Sequence, residues 1–494
     1  MKKIYLLLTI AAVLSLSSCN LDINDNPNFP SSSDVTPDLV FPAAENAVAA
    51  AVGDAMFNYG GFFAQYFEQR PEANQYNDLA ELNLDESSNL FDRCYRTLYA
   101  GALADLKDVM DRTENTSDLF ACTVMRAYAF QILVDNLDQV PYTEALQGSA
   151  NANPVWDMGE DVYKGVLAEM DAAEAALAGD PMTLTDPLMS KNVNEWRGFA
   201  NALRLRMYLR LIDGGINAGE YQSKALALVN ADNFFTGDVA WDVYSNADGQ
   251  YNPWYDVARA LGTKNHVASY PIVSYYLATN DPRISYAIMK ADANGEYVGQ
   301  LPGSKTKMGS WAGDWKNKDV SAIDYTPAVF APIYLFTQSE LQFLIAETQL
   351  RWGNKAAAKA AYEAGVEADF ASRGMSVGSF LSGGRVNWDS QASDAARLNV
   401  IYMQKWAALF YRDHMEAWSE VRRTDVPSTC PKSAKEIYDD ATVYSAGQMI
   451  EPAVNNIMAG GLCKRVPYPS TARQLNKNTP AEKLLSDRVF WDAK

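Results

Sequence analysis

The sequence predicts a mainly α fold: a scaffold of stacked helical hairpins that carries a loop-rich lobe. Three observations predict it. Apolar residues recur at spacings of three and four through much of the first 231 positions and again from Thr337 to Thr424. From Phe234 to Pro332 that period gives way to Gly, Asn, Asp, Pro and aromatic residues, the texture of long loops. Each periodic stretch leaves one apolar stripe uncovered, so the helices need one another as partners.

The stretch from Thr337 to Phe370 is the clearest hairpin. Thr337 and Glu340 read as a T-x-x-E capping box, Gly353-Asn354 as the turn, and Asn354 as the N-cap of the second helix. The span matches the roughly 34-residue period of tetratricopeptide units. Ala346, Ala358, Tyr362 and Gly365 fall on that repeat's small and aromatic positions, where small residues let two helices approach. The next segment, IYMQKWAALFYRDHMEAWSEVRRT, reads as one further helix with Met403, Trp406, Phe410, His414, Trp418 and Val421 on its stripe.

In the N-terminal half, helices are expected over 36–52, 55–69, 87–112, 117–136, 159–178, 194–213 and 221–231, with short connections. Their stripes include Leu103, Leu106, Val109 and Met110, then Val124, Tyr128, Ile132 and Leu133, then Leu203, Met207 and Leu211. Within the loop-rich stretch a short strand is expected over 284–290.

Ahead of these, Lys2 and Lys3 precede an apolar run from Ile4 to Leu16, shorter than the roughly 18 residues a membrane span requires. It reads as a signal peptide, residues 1–18. Leu16-Ser17-Ser18-Cys19 is similar to a bacterial lipobox, with Cys19 the lipidated first residue of the mature chain. Residues 19–33, rich in Asn, Asp, Pro and Ser, read as a flexible tether.

The chain has 494 residues, 48% of them hydrophobic, which is ample for a large core. Its net charge is -19, and loss of Lys2 and Lys3 with the signal peptide makes it -21. Such acidity argues against a nucleic-acid partner or an anionic membrane face. Of the cysteines after Cys19, Cys94 and Cys122 read as buried thiols; Cys430 and Cys463 lie in one region of a protein bound for an oxidising compartment, where a disulfide or two free thiols are equally open.

Only two histidines exist, His266 and His414, which leaves a Ser-His-Asp triad or a His-based metal site almost nothing to use. The segments 246–249 and 292–295 look like calcium loops, but Tyr255 and Leu301 stand where the bidentate Glu belongs, so they read as turns and no metal or other cofactor is expected. Paired carboxylates for glycoside hydrolysis remain the rival chemistry, because 61 acidic residues offer many pairs.

Aromatic loops carry the positive signal. Trp311-Ala312-Gly313-Asp314-Trp315 sets two indoles beside an acidic acceptor, and Tyr251-Asn252-Pro253-Trp254-Tyr255 is built alike. An earlier loop, residues 69–77, adds Arg70, Asn74 and Tyr76. Flat rings stack on the apolar faces of pyranoses while Asp, Asn and Arg take the hydroxyls. The candidate ligand-binding residues are therefore Arg70, Asn74, Tyr76, Tyr251, Trp254, Tyr255, Trp311, Asp314 and Trp315. The opposing reading is that these aromatics staple loops to the helices.

The strings QLRWGN, QKWAALF, EAWSEVRRT and RVPYP, with DNLDQVPYTEAL near residue 140, occur in an order and spacing that resembles the SusD/RagB family of outer-membrane nutrient-binding lipoproteins. The resemblance covers nearly the whole chain. It implies a single SusD-like domain over 34–494, with helical repeats at about 87–213 and 337–423, a loop-rich ligand-binding insert at about 234–332 and an irregular region at about 427–494. It further implies a surface lipoprotein of the outer membrane that binds an oligosaccharide without cleaving it and passes it to a SusC-like TonB-dependent transporter. A glycan-cleaving enzyme and a peptide-capturing RagB-like binder are the alternatives.

Overall fold

The computed structural model describes residues 35–85, 88–262, 264–305, 315–454, 458 and 461–493. The expected signal peptide, Cys19 and the tether lie outside them. The described chain is mainly helical, and its long helices start where the sequence supplies a side chain to take up free N–H groups. Asn115 accepts from Ser117 N and Asp118 N, Asn192 from Asn194 N, Asn354 from Ala356 N and Ala357 N, and Ser393 from Ala396 N.

The first rod comprises α1 (Pro37–Ala51), a π-helical turn over Val52–Met56 and α2 (Phe57–Phe63). Two separate helices reaching residue 69 were the expectation. The π turn instead fuses them, and left-handed backbone at Gln65 (φ 54) ends the helix, so Phe67–Gln69 becomes a strand antiparallel to His266–Ala268. The helix expected from residue 87 is likewise assembled from Asp92–Arg96, a π-helical segment Thr97–Leu103 and α3 (Ala104–Arg112).

Antiparallel pairs follow: α4 (Thr116–Leu137) with α5 (Gly159–Ala175), and α6 (Val193–Asp213) with α7 (Ala218–Ala231). The loop-rich stretch holds two helices that the sequence reading missed, α8 (Pro253–Ala260) and α9 (Tyr270–Thr279). The strand expected over 284–290 is one helical turn, Ile284–Ala287, after which Ile288 alone bridges Ile323. Then come α10 (Gln338–Trp352) with α11 (Lys355–Ser372), and α12 (Asp394–Leu409) with α13 (His414–Thr424).

Helix α4 packs on α6, α7 on α10, and α10 on α12, so the two series of hairpins meet. Gly365 shows how closely: a Cβ there would stand 2.9 Å from the Phe343 ring across the α10–α11 hairpin. Ala346, Ala358 and Tyr362 are fully buried beside it.

The helix read as continuous from Ile401 to Thr424 is broken. Tyr411 adopts left-handed backbone (φ 64), and Asp413 caps α13 by accepting from Glu416 N at 3.0 Å. His414 secures the joint, with Nε2 accepting from Tyr411 N at 2.9 Å and Nδ1 meeting Phe57 O at 2.8 Å. Both ring nitrogens are thus used by the neutral imidazole, and burial pushes its pKa down to about 3.

Charged residues lock the hairpins together from inside. Arg206 on α6 pairs with Glu340 on α10; Arg210 reaches Asp135 and Glu416; Arg423 reaches Asp213, Glu347 and Glu420. The T-x-x-E box is accordingly half made: Thr337 accepts from Glu340 N, while the Glu340 carboxylate turns to Arg206. A second buried cluster, Arg283 with Asp281, Asp369 and Gln404, ties the insert to α11 and α12. Isolated buried charges are costly, and paired ones with full hydrogen bonding hold.

The C-terminal stretch returns to α4. Arg465 Nη2 donates to Leu137 O at 2.6 Å, Val466 N to Asn136 O, and Trp491 Nε1 to Asp135 Oδ1 at 2.9 Å. Cys94, Cys122, Cys430 and Cys463 are all free and buried, so the open question of a 430–463 disulfide closes in favour of two thiols. Cys463 lies in the main core, whereas Cys430 belongs to a small separate cluster with Leu301, Ala434, Ile437 and Ile450.

Candidate functional site

The loop after the strand at 67–69 is drawn onto the insert by backbone and side-chain bonds. Arg70 N donates to Asn265 O at 2.9 Å and Arg70 Nη1 to Lys264 O at 3.1 Å. Glu72 and Asn317 exchange two bonds, each from a backbone N to a side-chain oxygen, at 3.2 and 3.1 Å. Lys305 donates to Asn74 and Asn77. The loop at 70–77 is thus tied to residues 264–265, 305 and 317 of the insert.

Where they meet lies a cavity of about 150 Å³. Asp54 and Asn58 line one side, Tyr76 and His266 another, and α8 and its C-cap contribute Trp254, Val257, Ala258 and Leu261. The last four recur at helical spacing and so share one face of α8. Tyr251, Tyr255 and Arg259 form the adjacent face, where the two phenols meet edge to face at 5.4 Å and the guanidinium lies 4.7 Å from the Tyr251 ring.

His266 organises the floor. Asn58 Oδ1 can only accept, so Nε2 carries the proton and donates to it at 2.6 Å, while Nδ1 accepts from the Tyr325 hydroxyl. Burial pushes the His266 pKa down to about 3, leaving a neutral ring against which Tyr76 stacks at 4.8 Å. Burial also raises the Asp54 pKa, against the pull of Arg93 at 2.6 Å. The π turn that carries Asp54 is what offers this carboxylate toward the cavity wall.

Of the residues singled out in the sequence, Tyr76 is half-buried on the cavity wall, Arg70 is partly buried and Asn74 is exposed beside it. Tyr251 and Tyr255 are half-buried and do not line the cavity, and Trp315 is half-buried with an indole N–H that meets no acceptor among the described residues. Trp254 departs from the expectation of an outward-facing platform. It is 4% exposed and stacks against Tyr325 at 4.7 Å and Phe67 at 5.7 Å, so its ring is committed to the interior. Trp311 and Asp314 lie outside the described residues. Asn58, Asp54, His266 and Tyr325 were missed: single polar residues in apolar surroundings carry no local pattern.

The carboxyl pair with the most perturbed acid is elsewhere. Burial, and then the neighbouring Asp186, push the Glu45 pKa up to about 10, yet the two residues are 1% and 5% exposed and sealed from any substrate.

A family model described as starch-binding, associating with outer membrane, matches residues 31–445, and the chain belongs to this SusD-like family. Among solved structures, a SusD homolog from Bacteroides uniformis superposes with a TM-score of 0.70 at 21% identity, covering 92% of this chain and 100% of the other. A chitin-binding SusD homolog from Flavobacterium johnsoniae gives 0.70 at 19% identity over 91% and 98%. A SusD homolog from Bacteroides fragilis gives 0.71 at 19% identity over 93% and 99%. These similarities establish the fold. No curated protein matches the chain.

Proposed function

We propose that this protein is a lipoprotein of the outer-membrane surface that captures an oligosaccharide and hands it to a SusC-like TonB-dependent transporter. Membership of a family described as starch-binding and associated with the outer membrane carries the reading. The chitin-binding description of the Flavobacterium johnsoniae homolog points to the same ligand class. The cavity beneath the loop at 70–77 supports it chemically: the Tyr76 ring offers a stacking face, and Asp54 and Asn58 offer partners for hydroxyls. Cys19 anchors the chain through its lipid, and the tether at 19–33 spaces the body from the membrane.

The protein binds and does not cleave. A glycan panel, with peptides included, read by calorimetry for binding and by chromatography for products, tests both halves at once. Saturable binding of a neutral glycan without products is expected; turnover would move the assignment to a glycosidase, and binding of peptides alone to a RagB-like role. Cys19→Ala is expected to release the body as a soluble protein, and an impermeant reagent is expected to label the wild type on intact cells.

A further inference from the structure

A larger cleft, about 570 Å³, opens away from the 70–77 loop and has no part in the reading above. That volume lies within the range of small-molecule sites. It is enclosed by the loop bearing Gly384, Arg385 and Gln391, by α12 with Asn399 and Met403, by Tyr275 of α9 and by the C-terminal strap at 427–448.

Its walls are fixed. Gly447 has φ 90, and a Cβ there would stand 2.9 Å from Met403 and 3.0 Å from the Tyr275 ring, so the strap lies on α9 and α12 at a distance only glycine allows. Gly447 N donates to Ser274 Oγ at 3.1 Å, and the Tyr444 hydroxyl to Gln448 O at 2.6 Å. On the other wall, Val386 is buried and its carbonyl accepts from the Tyr362 hydroxyl at 2.6 Å, which holds the backbone just after Arg385.

The lining is polar and of one sign. In a chain with 61 acidic residues against 42 Lys and Arg, no Asp or Glu lines this cleft, and its one charged group is Arg385. The Arg385 side chain is exposed and makes no ion pair among the described residues, while Arg206, Arg210, Arg283 and Arg423 are each paired. Asn399, Gln391, Gln448, Ser428 and Ser445 line the cleft as well, with Gln391 Nε2 donating to Asn387 O and Gln448 Nε2 to Ser428 Oγ, and Met403 and Pro427 give an apolar strip. Guanidinium forks match carboxylates, amides match sugar hydroxyls, and an apolar strip suits a pyranose face. The acidity of the whole chain does not oppose this, because charges beyond about 8 Å are screened at physiological salt.

We propose that this cleft is a second carbohydrate site, specific for a sugar unit bearing a carboxylate, with Arg385 as the anion-binding residue. It rests on the reading above only for the carbohydrate class.

The experiment titrates the full chain with a galacturonic acid trimer and with the same trimer methyl-esterified at its carboxyls. The wild type is expected to bind the acid at least about tenfold more tightly than the ester, and Arg385→Ala to remove that preference, as loss of one charge-assisted pair requires. Arg385→Lys is expected to retain part of it, and Tyr76→Ala all of it. Asn399→Asp, which brings a negative charge into the cleft, is expected to weaken acid binding independently of Arg385. No binding of the acid by the wild type, equal binding of acid and ester, or unchanged binding by Arg385→Ala would overturn the proposal. So would loss in Tyr76→Ala with retention in Arg385→Ala, because the acid would then occupy the first cavity. Arg385-dependent binding of the acid by a protein that takes no neutral glycan would support this site while refuting capture at the first.

Discussion

Arg206 and Glu340 face each other across 134 residues of chain, with Nε and Nη2 donating to the two carboxylate oxygens at 2.9 and 2.8 Å. The pair joins α6 to α10, and the Arg206 guanidinium also lies 3.9 Å from the Phe336 ring. Removing one partner leaves a buried charge without its counter-ion. Arg206→Ala is therefore expected to cost about 3–5 kcal/mol, whereas Arg206→Met with Glu340→Leu costs far less. Urea unfolding of the two variants checks this; equal losses would show that the pair contributes through packing alone.

Trp406→Ala is expected to cost about 3–5 kcal/mol, since a large aromatic is lost from a closed site. Its ring is 2% exposed beside Tyr66, and its N–H donates to Ala64 O at 3.0 Å, which pins α12 to the end of α2. A loss below about 1 kcal/mol in thermal or urea unfolding would mean that α12 is peripheral.

Glu68 makes stability depend on pH with an unusual sign. Burial pushes its pKa up to about 8, although Gly303 N and the Ser269 hydroxyl donate to it at 3.1 Å each. A folded-state value above the ordinary 4.5 means that the folded protein holds the proton more tightly. The stabilising contribution is full below about 4.5 and is lost as pH rises through about 8. Melting temperatures of wild type and Glu68→Gln are expected to diverge over this window, the variant falling less; parallel curves would refute the assignment.

Trp311→Ala and Trp315→Ala are each expected to weaken glycan binding about tenfold while leaving the melting temperature nearly unchanged. Calorimetry and thermal melts on the same samples separate the cases. Normal binding by both, or unfolding of both, would identify these rings as staples and place the site elsewhere.

The four described cysteines are expected to resist thiol reagents until the protein unfolds, and a reductant is expected to leave the melting temperature unchanged. Burial pushes the Cys463 pKa up to about 12, and its thiol donates to Arg465 O at 2.8 Å. A melting point that drops on reduction would show a disulfide after all.

The helical hairpins were legible because their apolar period and their caps are local signals: Asn354 and Thr337 cap where the sequence places them. The break at Tyr411 was not, since its stripe runs on unbroken through Phe410, His414 and Trp418 and the turn is set by contacts with Phe57, far away in the chain. Nor was the internal lattice of charges: nothing local marks Arg210 and Arg423 as buried, and partners of both sit on other helices. In the candidate site, the sequence could not tell Tyr76, which is half-buried on the cavity wall, from Trp254, which touches the cavity but is almost wholly buried. Both are aromatics in polar surroundings, and only the neighbours Phe67 and Tyr325 decide.

Trp491 gives the fold a constraint in time. Its indole is wholly buried between Arg210 and Arg422 and bonds to Asp135, a residue made 356 positions earlier. A chain leaving a ribosome or an export pore can stack its hairpins as they emerge, but the centre stays open until Trp491 is free to enter it. Products cut short before that residue carry an unfilled hole beside two buried guanidinium groups, which exposes them to proteolysis.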